Sequence, residues 1–244
     1  MILDIDAGNT RIKWQVLDGD QVKAKGELLT ESVRQGAPIE INVEAAVERI
    51  RLSSVAGTEV IETLQTQLID QFNVAVDLAE VSAEAAGVTC GYKDFRQLGV
   101  DRWLALVAAY GKYARPVIVV DAGSAVTIDI VDGDGLHLGG YIVPGLGLMH
   151  RALWEGTDQI KVELKQGVNI ANPGVSTDEA VDKGCVLMLV ALIESMVERY
   201  QCLTVVTGGD GMLLLEQLAV DAEYLPDLVL DGLAVDGISF RVLD

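Results

Sequence analysis

Basic residues are scarce in this chain of 244 residues: 18 Lys and Arg stand against 37 Asp and Glu, a formal net charge of −19. The deficit excludes an extended nucleic-acid or anionic-lipid surface, because recognition of phosphate over a wide area draws on clustered Lys and Arg. Cysteine is sparse too. Cys90, Cys185 and Cys202 are an odd number without CxxC spacing, which argues against a disulfide framework or a zinc knuckle and fits reduced thiols in a cytoplasmic protein. The longest apolar run, residues 185–193, is far short of the roughly 20 residues of a membrane span. The first apolar run is broken by Asp4 and Asp6 and has no basic segment before it, so no secretion signal is expected either. Three motifs are also missing. There is no GxxxxGK[ST] and no GxGxxG after a strand, which removes the P-loop and Rossmann readings, and Ser124 lacks the GxSxG context of a hydrolase elbow. His137 and His150 have no partner at metal or triad spacing and read as structural.

What is present is a globular composition, 50% hydrophobic and 23% charged, enough to bury the core of one large domain or two small ones. The chain opens on an apolar strand that runs into Asp6-Ala7-Gly8-Asn9-Thr10, followed at once by the alternating run Ile12-Lys13-Trp14-Gln15-Val16 and the turn Asp18-Gly19-Asp20. This is a strand ending in a carboxylate, a tight polar turn and a hairpin return, with a third strand starting near Val22. Gly8 lets backbone N–H groups come close to an anion, and Asn9, Thr10 and Lys13 can donate to phosphate oxygens. Asp6 sits where a hydrated Mg²⁺ could be held, since that ion takes one or two carboxylates plus phosphate oxygens.

Further along, residues 30–40 read as a loop and residues 43–51 carry helical spacing. Residues 52–56 read as a strand, residues 59–72 as an amphipathic helix and residues 74–78 as a strand, the order of an α/β domain. Residues 90–99 are a glycine-punctuated loop leading into a helix over 103–113 that Pro116 closes. Then Val117-Ile118-Val119-Val120-Asp121-Ala122-Gly123-Ser124 repeats the opening pattern, again with an alternating run and an Asp132-Gly133-Asp134 turn. A repeat that carries strand, carboxylate, glycine, hairpin and turn together implies an internal duplication, with two similar α/β domains facing a cleft and a division at 1–114 and 115–244. Residues 178–202 form the longest helical pattern, residues 203–207 a buried strand ending at Gly208-Gly209, and residues 228–238 a closing helix.

Glycine turns after three apolar strands, at Gly8, Gly123 and Gly208-Gly209, fit a phosphate clamp at the crevice of an α/β sheet. Leu98-Gly99-Val100-Asp101-Arg102 has two readings. Asp and Arg suit the first turn of a helix on electrostatic grounds alone. Alternatively, Asp101 takes a proton from a hydroxyl and Arg102 binds an anionic part of the acceptor, since positioning and charge neutralisation dominate phosphoryl transfer. Asp121, ending an otherwise apolar strand, is a stronger ligand candidate than Asp129.

Asp6-x-Gly8-Asn9-Thr10-x-x-Lys13, Gly99-x-Asp101-Arg102, Asp121-x-Gly123-Ser124-Ala125-x-Thr127-x-Asp129, Gly139-Gly140-x-Ile142-x-Pro144-Gly145 and Thr207-Gly208-Gly209 occur in that order over most of the chain. The set closely resembles the type III pantothenate kinases of the actin/Hsp70/sugar-kinase superfamily. The resemblance implies an α/β fold of two duplicated ribonuclease H-like (actin-like ATPase) domains, a homodimer, and ATP-dependent phosphorylation of the pantothenate primary hydroxyl, the first step towards coenzyme A. It implies Mg²⁺ and a monovalent cation, K⁺ or NH₄⁺, as cofactors; the acidic charge balance and the short apolar runs argue against a nucleic-acid or membrane partner. Carried over by position, Asp6, Ala7, Gly8, Asn9, Thr10, Arg11, Ile12 and Lys13 would bind ATP, with Asp6 on Mg²⁺, and Ser124 would also lie near ATP. Tyr92, Gly99, Val100, Asp101, Arg102 and Thr177 would bind pantothenate, Asp101 as the catalytic base, and Asp121 would lie near the monovalent cation. Val100 stands where Ala is usual, Ser124 replaces Thr, and Ser176 replaces the Asn that commonly precedes Thr177. Two other readings stay open: a sugar or polyol kinase of the same superfamily, and a non-catalytic ATP-binding regulatory protein. A sugar site would need side chains for many hydroxyls, whereas residues 99–102 offer one cation suited to a carboxylate; the retained Asp101 argues against a dead enzyme.

Overall fold

The alternation of apolar and polar residues at the start of the chain becomes three strands, β1 (Ile2–Ala7), β2 (Arg11–Asp18) and β3 (Gln21–Leu29), joined as an antiparallel meander. This computed structural model describes residues 1–43, 45–157 and 167–243. A short helix, α1 (Thr30–Arg34), opens the stretch expected to be a loop, and β4 (Arg49–Ser54), α2 (Thr58–Phe72) and β5 (Val76–Glu80) follow. The helical spacing at residues 43–51 does not produce a helix among the described residues. Ile50 and Leu52 instead pair in parallel with β1, which sends both into the core and begins the strand at Arg49, ahead of its expected start. A two-stranded hairpin, β6 (Glu84–Ala85) and β7 (Val88–Thr89), and a 3-10 turn at Phe95–Gln97 lead to α3 (Val100–Tyr113).

The second sheet begins with another antiparallel meander, β8 (Val117–Ala122), β9 (Ala125–Val131) and β10 (His137–Pro144). It continues through α4 (Leu146–Gly156), α5 (Thr177–Tyr200), β11 (Leu203–Thr207), α6 (Gly211–Leu215) and β12 (Ala222–Tyr224). The chain ends with α7 (Leu228–Leu233), shorter than expected, and a strand the sequence pattern did not suggest, β13 (Ser239–Leu243).

Strand order is β13-β5-β4-β1-β2-β3 in one sheet and β10-β9-β8-β11-β12 in the other. In each, a meander supplies the first three strands and two further strands add in parallel beside the first. The two sheets therefore repeat one topology, as the sequence repeat implied. Contacts divide the chain into two units, Met1–Gly111 with Leu228–Asp244, and Lys112–Asp227. The division expected to run from residue 115 to the end is corrected at the C-terminus. There β13 pairs antiparallel with β5 and α7 packs on β1 and β4, so that segment belongs to the first unit.

Each unit has its own core. In the first, Leu3, Ile5 and Ala7 of β1 join Ile50 and Leu52 of β4 and the inner face of α2, Val60, Leu64 and Leu68. In the second, β8 is buried along Val117–Val120 and packs with Val181, Cys185, Leu189 and Ile193 of α5. The Val, Leu and Ile side chains among these each contribute about 1.5–3 kcal/mol of transfer free energy, which makes these two clusters the rigid support for the turns at the strand ends. Because side chains alternate along a strand, seating Leu3, Ile5 and Ala7 in one core leaves Asp4 and Asp6 on the opposite face. Among the described residues no helix is long and apolar enough to cross a membrane.

Candidate active site

In the first unit, the turn between β1 and β2 is closed by a bond from Gly8 N–H to the Arg11 carbonyl (3.0 Å). A Cβ on Gly8 would come within 3.1 Å of that carbonyl oxygen, so a larger residue would open the turn. Thr30 clamps it from outside, its hydroxyl donating to the Gly8 carbonyl (2.7 Å) and its N–H to the Thr10 carbonyl (3.1 Å). Asn9, Thr10 and Arg11 are exposed on the turn, and Arg11 pairs with Glu27. Asp6, at the end of β1, faces Lys13 of β2 and Ser53 of β4 in register. A carboxylate, an ammonium group and an exposed amide-bearing turn thus gather at the carboxyl end of a parallel strand, the end at which open α/β sheets bind ligands. Among the described residues no three His, Cys, Asp or Glu cluster to cage a metal. One carboxylate beside a phosphate-sized turn suits Mg²⁺, which binds through one or two carboxylates and substrate phosphates rather than an all-protein cage.

The acceptor residues lie on the loop before α3 and on its first turn. The Asp101 carboxylate folds back over Gly99: its Oδ1 accepts the Arg102 N–H (2.8 Å), and a Cβ on Gly99 would sit 2.5 Å from the same oxygen. Trp103 N–H bonds to the Gly99 carbonyl (3.0 Å), which starts the helix, and its positive N-terminal end favours the Asp101 anion. Arg102 is buried, and its Nη1 donates to the Tyr92 hydroxyl (3.0 Å) while its guanidinium lies 5.7 Å from the Tyr92 ring centroid. The structure therefore brings Tyr92, Gly99, Asp101 and Arg102 together. A fixed guanidinium backed by an aromatic ring is suited to a carboxylate or another planar anion.

In the second unit, Asp121 ends β8 and the Gly123-Ser124 turn repeats the first one, Gly123 N–H bonding to the Ala125 carbonyl (3.1 Å). Gly145 N–H holds the Ser124 carbonyl (3.1 Å), and a Cβ there would run into the Gly123 carbonyl oxygen. Gly208 follows β11 with φ of +89°, and a Cβ on it would lie 2.5 Å from Asp121 Oδ1 and from the Ala122 backbone. The Asp121 carboxylate thus lies between two glycine turns. Thr177 is exposed at the start of α5, where Ser176 Oγ caps the helix by accepting the Glu179 N–H (3.3 Å) and the Glu179 carboxylate accepts the Val175 N–H (3.0 Å). Serine is among the residues preferred at a helix N-cap.

Some neighbours were not singled out by sequence reasoning. Tyr224 donates its hydroxyl to the Gly208 carbonyl (3.0 Å), and burial pushes its phenol above the ordinary range, with the Asp227 and Asp121 charges adding to the effect. Asp210, whose N–H bonds to the Ala122 carbonyl (2.9 Å), has its carboxyl raised by burial. Thr30 could have been found only from the fold. The two histidines, read as structural, are buried beside carboxylates: His137 Nε2 lies 2.9 Å from Asp129 and His150 Nε2 3.4 Å from Asp182.

Comparison with known proteins gives these residues a context. The profile described as type III pantothenate kinase matches residues 2–199. A Pseudomonas aeruginosa (strain LESB58) protein named type III pantothenate kinase is 38% identical over 247 residues, covering 96% of this chain and 98% of its own. Among solved structures, a Campylobacter jejuni protein named for the Baf family of transcriptional activators superposes with a TM-score of 0.62 at 24% identity, over 95% of each chain. A Sinorhizobium meliloti protein named as a 2-dehydro-3-deoxygalactonokinase gives 0.55 at 12% identity, over 96% of this chain and 97% of its own. These two likenesses concern the fold, which is that of duplicated ribonuclease H-like halves.

Proposed function

The chain belongs to the type III pantothenate kinase family, and from that premise we propose how its residues divide the work of the reaction. The reaction is ATP-dependent phosphorylation of pantothenate at its primary hydroxyl, giving 4'-phosphopantothenate for coenzyme A synthesis. Asp101 is the catalytic base. It accepts the hydroxyl proton as the oxygen's electron pair forms the bond to the γ-phosphorus, and ADP leaves with the electrons of the broken P–O bond. An ordinary carboxylate suffices because catalysis in phosphoryl transfer is mainly positioning and charge stabilisation.

The observation that carries this assignment is the packing of the Asp101 carboxylate over Gly99, with Oδ1 anchored by the Arg102 N–H. That anchor fixes the carboxylate beside the Arg102–Tyr92 pair, which we assign to the pantothenate carboxylate. Gly99, Val100 and Thr177 are assigned to pantothenate binding as well. We assign residues 6–13 to the ATP phosphates, and Ser124 to ATP binding as well. Asp6 would hold Mg²⁺ together with the phosphates, where the ion neutralises phosphate charge. Asp121 would hold K⁺ or NH₄⁺, the monovalent cation expected for the family. We place the reaction in the cytoplasm, in keeping with three free cysteines.

We further propose a homodimer through α5 and the edge strand β10. Support comes from Leu187 and Met188 on α5, 52% and 65% exposed, and from Ile142 on β10, 61% exposed, apolar side chains that a second copy would cover. A coupled ADP-release assay tests the function, with pantothenate against a panel of sugars, with and without K⁺ or NH₄⁺. Pantothenate alone should release ADP. Release with a sugar and none with pantothenate would overturn the assignment.

A further inference from the structure

Behind the Asp6 carboxylate lies a second polar tier that no part of the reaction described above uses. Asp4 is fully buried on the same face of β1, two residues back from Asp6. Arg51 of β4 grips it with two bonds, Nε to Oδ1 (2.6 Å) and Nη2 to Oδ2 (2.9 Å), and Gln15 of β2 donates to Oδ2 from the other side (3.3 Å). Arg51 and Gln15 are buried as well. Three neighbouring strands are therefore tied across one face by side chains, in addition to their backbone ladders.

The register makes the connection to the site. Asp6 stands opposite Lys13 and Ser53, and Asp4 stands opposite Gln15 and Arg51. Every member of the front tier is thus two residues along its own strand from a member of the rear tier, on the same face. Ser53 is fully buried, and its hydroxyl has no hydrogen-bond partner among the described residues. The second sheet departs from this plan: Asp121 faces Thr127, but one tier back Val119 faces Val205 and Asp129, so apolar residues stand where Asp4 and Arg51 do, and only Asp129, held by His137 at 2.9 Å, is polar there. Gln15 and Asp129 occupy the same place in the two hairpins. Buried ion pairs are poor sources of stability, and replacing one by apolar groups of similar volume is often neutral or better. A polar tier found directly behind Asp6, where the second sheet has Val119 and Val205, points instead to a role in the geometry of the Asp6 site.

We propose that the Asp4–Arg51–Gln15 network is a positioning element: it fixes the ends of β2, β1 and β4 relative to one another, so that Asp6 meets the Mg²⁺ carried by the nucleotide in a set orientation. This rests on the reading of Asp6 as the Mg²⁺ carboxylate. Its consequence is specific. Breaking the network weakens the gain in nucleotide affinity that Mg²⁺ confers, and leaves Mg²⁺-free nucleotide binding and the fold in place.

The test is ADP binding by isothermal titration, in MgCl₂ and in EDTA, on the full chain and its variants. The Asp4→Leu/Arg51→Met double variant should melt near the wild-type temperature and bind ADP in EDTA as wild type does. It should lose about 10-fold or more of the Mg²⁺-dependent gain, the range seen when groups that orient metal ligands are removed. Arg51→Lys, which keeps the charge and loses the two-pronged grip, should fall between the two. Wild-type Mg²⁺ gain in the double variant would overturn the proposal, and so would equal losses in MgCl₂ and EDTA. If the double variant does not fold, Asp4→Asn takes its place, with a reduced gain expected and an unchanged gain refuting. Asp6→Asn separates the two layers of the argument. A full Mg²⁺ gain in that variant would remove Asp6 as the Mg²⁺ carboxylate, whereas loss there with an unaffected double variant would sink only the positioning role.

Discussion

Replacing Gly99 with Ala tests whether the placement of one carboxylate controls turnover. The added Cβ would lie 2.5 Å from Asp101 Oδ1 and 3.7 Å from its Cγ, with no backbone atom in the way. Relief requires Oδ1 to retreat by roughly 1 Å to reach an ordinary carbon contact, and that movement breaks its bond to the Arg102 N–H. A hydrogen bond to a charged group is worth about 1.5–3 kcal/mol when buried, and less here because Asp101 is only half-buried. Gly99 is not among the residues with positive φ, so Ala returns about 0.4–1 kcal/mol by restricting the unfolded chain. The net cost to stability is about 1 kcal/mol, a fall in Tm of ~2–4 °C for a chain of this size. Catalysis should suffer far more, because a misplacement of about 1 Å costs roughly 100-fold in rate. Differential scanning fluorimetry and coupled ADP release with pantothenate read the two effects separately. A kcat within about threefold of wild type, in a folded variant, would refute the claim that the carboxylate must sit where Gly99 lets it.

Tyr92→Phe removes the hydroxyl that accepts from Arg102 and keeps the ring beneath the guanidinium. It should raise the KM for pantothenate about 5-fold, as expected for a partly exposed bond worth ~1 kcal/mol, with kcat nearly unchanged in steady-state kinetics. Gly208→Ala puts a Cβ at 2.5 Å from backbone that cannot yield, at φ of +89°. It should cost about 2–5 kcal/mol, read as a fall in the urea midpoint. Burial raises the Asp210 carboxyl above its ordinary 3.8, so the folded state binds this proton more tightly than the unfolded state does. Asp210 therefore weakens the fold at neutral pH, and that penalty fades as pH falls through the raised value towards 3.8. Urea titrations over pH should show Asp210→Asn more stable than wild type at pH 7, with the advantage shrinking in acid; a gain that does not depend on pH would contradict this.

The duplication was legible because Asp6 and Asp121 share strand, turn and hairpin, features that alternation and glycine placement encode locally. Family resemblance put Tyr92 and Arg102 each near the substrate but not in contact, since nothing local says that a loop tyrosine will meet a helical arginine ten residues on. Residues 43–51 misled because helical spacing and a buried strand both place apolar residues inward. The parallel ladder of Ile50 and Leu52 with β1, a contact across more than forty residues, decided between them. The same holds for β13, whose pairing with β5 returns the C-terminus to the first unit. Asp4 in an apolar strand was a visible anomaly, but its partner Arg51 lies on another strand and could be matched only through the register. Local pattern thus reported the turns and their glycines, and tertiary pairing supplied the rest.

The measurement that bears most directly on Asp101 as the base is a single-turnover comparison of wild type and Asp101→Asn with saturating ATP and pantothenate, alongside ATP binding by titration. Asparagine keeps the size of the side chain and an oxygen for the Arg102 N–H, and removes the proton acceptor. The account predicts ATP affinity within about twofold of wild type and a phosphoryl-transfer rate lower by roughly 100- to 10,000-fold. Near-normal transfer in a folded Asp101→Asn enzyme would contradict it.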